Sequence, residues 1–244
     1  MRVGYSHGVL LLVALVWGGG FVAQKSGMDY LGPFSFNTAR FVLAALSLVP
    51  VWFLLRPQLL KQARPVDNQA FWLGGLLAGT LLAGGLSLQQ AGLQYTSAGK
   101  AGFITGMYIV IVPILGLFMG VHTRLLTWMG IALAVLGLYQ LSVVTGKDGL
   151  HINRGDVMQL IGAVFWAMHV VTLGTLARRV PDLVGLSAWQ FVVAALWSAL
   201  LMLGLETPQW QGFREEWLPL LYAGVGGQRR GVHPAGDRPA RGGQ

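Results

Sequence analysis

The stretch ARFVLAAL at Ala39–Leu46 returns as WQFVVAAL at Trp189–Leu196, and this recurrence decides how the chain folds. Two further matches stand in the same order. WLGGLLAG at Trp72–Gly79 answers to WLPLLYAG at Trp217–Gly224, and Trp17 aligns with Trp166, so the three offsets are 150, 145 and 149 residues. The copies lie in apolar runs. Runs free of Asp, Glu, Lys and Arg cover 3–24, 68–99, 101–123, 125–146, 157–177 and 183–205, and each reaches the ~20 residues that carry a helix across ~30 Å of hydrocarbon. Adding 33–55, interrupted only by Arg40, gives seven full spans. The apolar stretch Trp217 to Gly227 is a stub, about half the length a span needs.

The matches pair span one with six, two with seven and three with eight, which makes the repeating unit five spans. An odd unit forces the second copy into the membrane with opposite polarity. The expected fold is therefore an all-α, polytopic membrane helix bundle of two inverted five-span repeats, the second incomplete. Residues 1–146 form the first repeat, 147–227 the incomplete second, and 228–244 a polar tail. Inverted repeats are a recurrent signature of secondary transporters, with the solute site near the midplane between the copies.

Composition agrees with a lipid-embedded chain. Of 244 residues 54% are hydrophobic and 11% charged, against about a quarter charged in soluble domains. The absence of cysteine excludes disulfides, iron–sulfur clusters and thiol nucleophiles. The net charge of +8 is loop and tail charge, with Arg229, Arg230, Arg238 and Arg241 all in the last 17 positions. No basic stripe interleaved with aromatics is present, so a nucleic-acid partner is not expected, whereas a small-molecule solute and the lipid bilayer are. No Walker-type loop, HExxH or GxSxG occurs, which excludes an ATP-driven pump and leaves no cofactor or metal expected. Short-loop Lys and Arg number seven on the side of Arg2, Arg56 and Arg124 and five on the other, which places the N-terminus inside. The first run is read as a span because no small-residue cleavage site follows it.

From Gln228 the chain reads QRRGVHPAGDRPARGGQ, where Pro234, Pro239 and four arginines exclude a span. It reads as a solvated tail or as a shifted reading frame. Codons compatible with it, read one nucleotide later, give SGVAYTLQVIG, an apolar continuation of span eight. Sequencing the gene through this point separates the two.

VWGGGFVAQKSGM at Val16–Met28, the ARFVLAAL of span two, and YTSAGKAGFITGMYIVIVPILGLFMG at Tyr95–Gly120 resemble the EamA-type proteins of the drug/metabolite transporter superfamily. The resemblance runs through nearly all of residues 8–224. It implies ten helices in two inverted five-helix repeats in a cytoplasmic membrane, exporting or importing small metabolites or drugs. Two departures stand out. Many relatives carry a glutamate after span four, where this chain reads Gly120-Val121-His122-Thr123-Arg124, and the last spans are missing. An inactive truncated fragment is thus the alternative to a working transporter. An intramembrane enzyme is disfavoured because no paired acid/base set occurs.

The candidate site follows from polar and aromatic residues inside spans. Arg40 lies about seven residues into span two, where a cation either faces a polar cavity or snorkels to the headgroups. Gln190 occupies the matching place in the second copy. Asn37, Gln90 and Lys100, with Gln24, Gln89, Gln94 and Thr105, form a polar vestibule or bond helix to helix. The positive charge of that vestibule suits anionic or zwitterionic solutes. Trp17, Trp166 and Tyr108 sit deep in spans, as cavity walls or core packing. His169 in span six titrates near neutrality and can relay protons or simply be a buried, bonded ring. Asp156 is read as a loop carboxylate capping span six. With no carboxylate inside any full span, uniport or exchange stands beside proton-driven export. Gly18–Gly20, Gly84, Gly85 and Gly106 allow close helix approach within one chain or in a homodimer, and Pro113 is expected to kink span four.

Overall fold

The computed structural model describes residues 15, 17–61, 67–120, 123–140 and 152–226. The polar tail 228–244, with its reading-frame question, lies outside the described residues. Helix α1 covers 17–26. It is followed by α2 (Pro33–Lys61), α3 (Asn68–Gly92), α4 (Ala98–Gly106), α5 (Tyr108–Phe118), α6 (Leu125–Tyr139), α7 (Arg154–Leu176), α8 (Leu183–Leu205), α9 (Trp210–Glu215) and α10 (Trp217–Leu221), then a π-helical turn, Tyr222–Gly226. Among the described residues, Pro33–Leu55, Asn68–Gly92, Ala98–Phe118, Arg154–Leu176 and Leu183–Leu205 are long and apolar enough to cross a membrane. These are the expected spans two, three, four, six and seven. Helix α1 is the described part of span one. Helix α6, 15 residues long, is likewise the described part of span five.

Charged and small polar residues at the loop edges start the helices where the sequence stops being apolar. Asp67 accepts from Ala70 N at 2.9 Å and Asp182 from Gly185 N at 2.8 Å. Asn153 and Asp156 form a capping box, each side chain accepting from the other's backbone N–H at 3.0 and 2.9 Å. Helix α2 is capped from the far end of α8. There Glu206 accepts from Phe34 N and Ser35 N, both at 2.8 Å, and from Ser35 Oγ at 2.5 Å, so a carboxylate sits where the helix dipole favours it. At the opposite end Trp52 Nε1 donates to Asp182 Oδ2 at 2.7 Å. The two clamps hold α2 and α8 antiparallel. Between them lies the core, built from Phe41, Ala44 and Leu48 of α2, Leu82, Ala83 and Leu86 of α3, and Phe191, Ala194 and Ala195 of α8. The Phe41 and Phe191 rings stack at 6.3 Å.

Small residues set the helix spacing. A methyl added to Gly92 would meet Gly155 O at 2.8 Å, and one added to Gly162 would meet Gly85 O at 3.1 Å, so α3 and α7 touch through backbone. A methyl on Gly79 would stand 2.6 Å from both Gln190 O and Val193 Cβ. One on Gly224 would stand 3.0 Å from Arg40 O and 2.9 Å from Leu43 Cβ. Under the sequence offsets, Gly79 answers to Gly224, Gln190 to Arg40 and Val193 to Leu43, so the same contact is made twice. Leu125, Leu126, Met129, Leu133 and Leu136 of α6 are exposed, as the sides of an apolar helix facing lipid would be.

The span carries a break ahead of Pro113. Pro113 lies inside α5, and the helix breaks at Met107, whose carbonyl accepts from Val110 N at 2.9 Å in a tightened i to i+3 bond.

Glu216, between α9 and α10, is 5% exposed. Burial pushes its carboxyl up, the charges of Asp29 and Glu215 push the same way, and a backbone hydrogen bond at Tyr30 opposes them. The folded chain thus holds this proton more tightly than the unfolded chain. Stability should rise as pH falls from neutral through the raised value, and level off below about 4.3, the ordinary value for Glu. Glu216→Gln removes this gain, so its melting temperature in detergent should change less between about pH 7 and about pH 5 than that of the unaltered chain.

Candidate functional site

Trp166 stands twelve residues into α7, about 18 Å below the start of that helix at 1.5 Å per residue, which is mid-depth in a bilayer. Three rings surround it. Trp17 of α1 lies at 6.1 Å, Tyr108 of α5 at 6.5 Å and His169 of α7 at 5.8 Å, the last edge-on. His169 Nε2 and Gln190 Oε1 are 2.9 Å apart, which carries the set across to α8. Of the sequence candidates, Trp17, Tyr108, Trp166, His169 and Gln190 therefore come together.

A chain of amides continues from Trp166. Its Nε1 donates to Gln89 Oε1 at 3.1 Å, Gln89 Nε2 donates to Gln24 Oε1 at 3.1 Å, and Gln90 Nε2 donates to Gln24 O at 3.0 Å. Gln159 Nε2 donates to Gln89 O at 2.8 Å and its Oε1 accepts from Thr105 Oγ1 at 3.0 Å. Such bonds are what an amide inside hydrocarbon requires. Gln94 is exposed and takes no part in this chain.

A second set sits in the seam between α2 and α3. Asn37 Nδ2 donates to Leu86 O at 3.1 Å; Arg40 lies one turn on from Asn37 in α2, and Ser87 and Gln90 follow Leu86 in α3. Among the described residues four of their buried atoms have no hydrogen-bond partner: Asn37 Oδ1, Arg40 Nη2, Ser87 Oγ and Gln90 Oε1. An unpaired buried polar atom costs about 1–3 kcal/mol, so each of these atoms is open to a polar partner. Arg40 is 5% exposed, which sets aside snorkelling. Its guanidinium lies 5.1 Å from the Phe41 ring and 6.0 Å from the Phe36 ring, and no carboxylate pairs with it among the described residues.

Lys100 stands apart from both sets. The expected vestibule charge at Lys100 is cancelled, because its Nζ lies 2.7 Å from Asp156 Oδ2, with both side chains buried. Asp156 caps α7 as expected, in the capping box with Asn153, and because α7 begins at Arg154 its carboxylate lies in the buried first turn of the span. A carboxylate does therefore lie at the end of a span. The spacing of Asn153 and Asp156 was the available signal. Gln159 was also passed over, because an amide leaves a charge-free run unbroken.

A hollow of ≈ 710 Å³ opens elsewhere, beside Glu206, lined by Tyr30, Gly32, Ser35, Leu203, Thr207 and Gln209 among others. Its carboxylate is already bound to the α2 N-terminus, and the hollow does not reach the aromatic set.

The chain has counterparts among known proteins. An uncharacterized transporter of Archaeoglobus fulgidus is 32% identical over 192 residues, covering 78% of this chain and 55% of the relative. The uncharacterized transporter YoaV of Bacillus subtilis is 24% identical over 191 residues, covering 77% of this chain and 63% of YoaV. The uncharacterized inner membrane transporter YedA of Escherichia coli K12 is 28% identical over 160 residues, covering 66% and 50%. The chain thus spans about half the length of these curated relatives. A crystal structure of a protein with 20% identity superposes with a TM-score of 0.65 over 87% of this chain and 71% of that one, a likeness of fold. The EamA-like transporter family matches residues 5–143. Five helices able to span a bilayer among the described residues, and more than half the chain matched by that family, make this a multi-pass membrane protein that belongs to the EamA-like transporter family.

Proposed function

We propose that the chain acts in secondary transport of small metabolites or drugs across the cytoplasmic membrane, by alternating access between two inverted halves. The observation that carries this reading is the double contact, Gly79 on Gln190 and Val193 beside Gly224 on Arg40 and Leu43. Such an exchange of equivalent positions is what a two-fold axis between halves produces. The axis would pass between Phe41 and Phe191 and between Trp17 and Trp166, which are equivalent pairs and in contact. The polar and aromatic sets lie around that line, where inverted-repeat transporters hold their solutes. Short-loop charge supports an N-terminus on the cytoplasmic side.

The seam offers one cationic donor, Arg40 Nη2, and amide oxygens from Asn37 and Gln90. That combination suits an anionic or zwitterionic solute whose organic part rests on Trp17, Trp166 and Tyr108. Uptake or efflux of labelled organic acids and amino compounds in sealed vesicles tests the reading. Saturable flux above that of empty vesicles is expected. Saturable binding without flux would favour the alternative, that this chain by itself is an inactive piece of a transporter. Neither binding nor flux, with any solute tried, would remove the site assignment as well.

A further inference from the structure

Arg40 and Lys100 are the buried arginine and lysine among the described residues, and they differ in what answers their charge. Lys100 has the Asp156 carboxylate at 2.7 Å, whereas no described carboxylate pairs with Arg40. Arg40 Nη2 is buried without a hydrogen-bond partner among the described residues. It stands seven residues into α2, about 10 Å along the helix at 1.5 Å per residue. Two rings face its guanidinium, Phe41 at 5.1 Å and Phe36 at 6.0 Å, and a ring quadrupole replaces only part of a cation's hydration. Glu206, at the start of the same helix, is already taken up by Phe34 N, Ser35 N and Ser35 Oγ. The charge on Arg40 is not shed either, because arginine keeps its proton at neutral pH.

We propose that Arg40 binds a small monovalent inorganic anion, chloride being the abundant one, whenever no solute is present, and that a solute carboxylate enters by displacing this ion. A lone cation at this depth is costly, and a bound counter-charge lowers that cost. The guanidinium is more weakly hydrated than an ammonium, and its surroundings here are phenylalanine rings. Anions that give up water readily therefore suit it best, with bromide ahead of chloride and fluoride well behind, since the site returns little of the hydration they lose. One guanidinium neutralises one such charge. Ion and carboxylate together would leave an unmatched negative charge in the interior, so they exclude each other. The bundle then reorients carrying one anion or the other, and carboxylate flux in one direction is matched by chloride flux in the opposite one. Binding of the ion stands on Arg40 itself, whereas the exchange rests on the transport reading.

Melting of the full chain in detergent reads the ion, in sodium gluconate, fluoride, chloride and bromide at one ionic strength so that screening is constant. Chloride at about five times its dissociation constant should raise the melting temperature over gluconate by roughly 2–4 °C, bromide by more and fluoride by least. Arg40→Gln should abolish the chloride gain. Arg40→Lys should keep a reduced one, which serves where Arg40→Gln does not fold, and Arg179→Gln, at an exposed position, should keep all of it. With acetate as the probe carboxylate, the chloride gain should shrink as acetate is added. A gain equal in all four salts, one that survives Arg40→Gln, or no gain in the unaltered chain would each overturn the ion site, and gains from chloride and acetate that simply add would overturn displacement. Exchange is read separately in vesicles loaded with radioactive chloride, where efflux should be faster into chloride than into gluconate and should saturate with outside chloride. A chloride-dependent melting temperature without such efflux overturns the exchange, and with it the transport reading, but keeps the ion site.

Discussion

Arg40→Gln should weaken binding of an anionic or zwitterionic solute by roughly ten- to a hundredfold, because one desolvated, charge-assisted contact of about 1.5–3 kcal/mol is lost. The same substitution should leave the solute-free chain at least as stable as before. A buried guanidinium without a carboxylate partner is a desolvation cost that the amide lowers. Quenching of tryptophan fluorescence reads the affinity, since Trp17 and Trp166 stand in the site, and thermal melting in detergent reads the stability. The opposite pattern, unchanged affinity with a lower melting temperature, would make Arg40 a structural anchor and move the site elsewhere.

Gly79→Ala and Gly224→Ala should each destabilise the bundle by about 1–3 kcal/mol, the usual cost of an extra methyl in a filled interior. Neither site has room. At Gly79 the methyl would sit 2.6 Å from backbone and side chain of α8, and at Gly224 within 3.0 Å of α2. Both obstacles include backbone oxygens, which cannot swing aside as a flexible side chain would. Gly204→Ala is the control. Nothing lies within 4 Å of that added carbon, so the helix-propensity gain of about 0.5–1 kcal/mol should stand alone. Melting temperatures of the three variants, measured side by side, check the ordering. Equal behaviour of Gly79 and Gly204 would mean that α3 and α8 are not in backbone contact.

The spans were legible because charge marks their ends. Asn68–Gly92 begins with the charge-free run 68–99 and Leu183–Leu205 coincides with the run 183–205, since lipid tolerates few ionised groups and loops collect them. The same rule put Asp156 at the cap of span six, where the capping box holds it, but hid its lysine partner. A charge taken as a loop marker can be drawn one turn into a span when a lysine from another helix meets it, and that meeting depends on how α4 and α7 cross. The break at Met107 was equally hidden, because proline is the local signal for a kink while the tightened turn lies six residues earlier. Of the candidate site, the residues themselves were visible as polar and aromatic side chains inside apolar runs, and Trp17 and Trp166 do meet. The partners of each amide were not. Which glutamine bonds which is set by helix rotation, and the apolar pattern of these helices, nearly uniform around their circumference, fixes rotation weakly.

The relation between the two halves is tested most directly by two engineered disulfides in the otherwise cysteine-free chain. Gly79→Cys with Val193→Cys joins α3 to α8, and Gly224→Cys with Leu43→Cys joins the turn after α10 to α2. The corresponding Cβ separations are 2.6 and 2.9 Å, so a shift of about 1 Å brings each pair to the ~3.8 Å of a disulfide. After mild oxidation in the membrane and proteolysis in the loop before α8, both pairs are expected to keep their fragments linked until reductant is added. Linkage at Gly79 and Val193 with none at Gly224 and Leu43, both pairs being equally open to oxidant, would contradict the two-fold arrangement and the transport reading that stands on it.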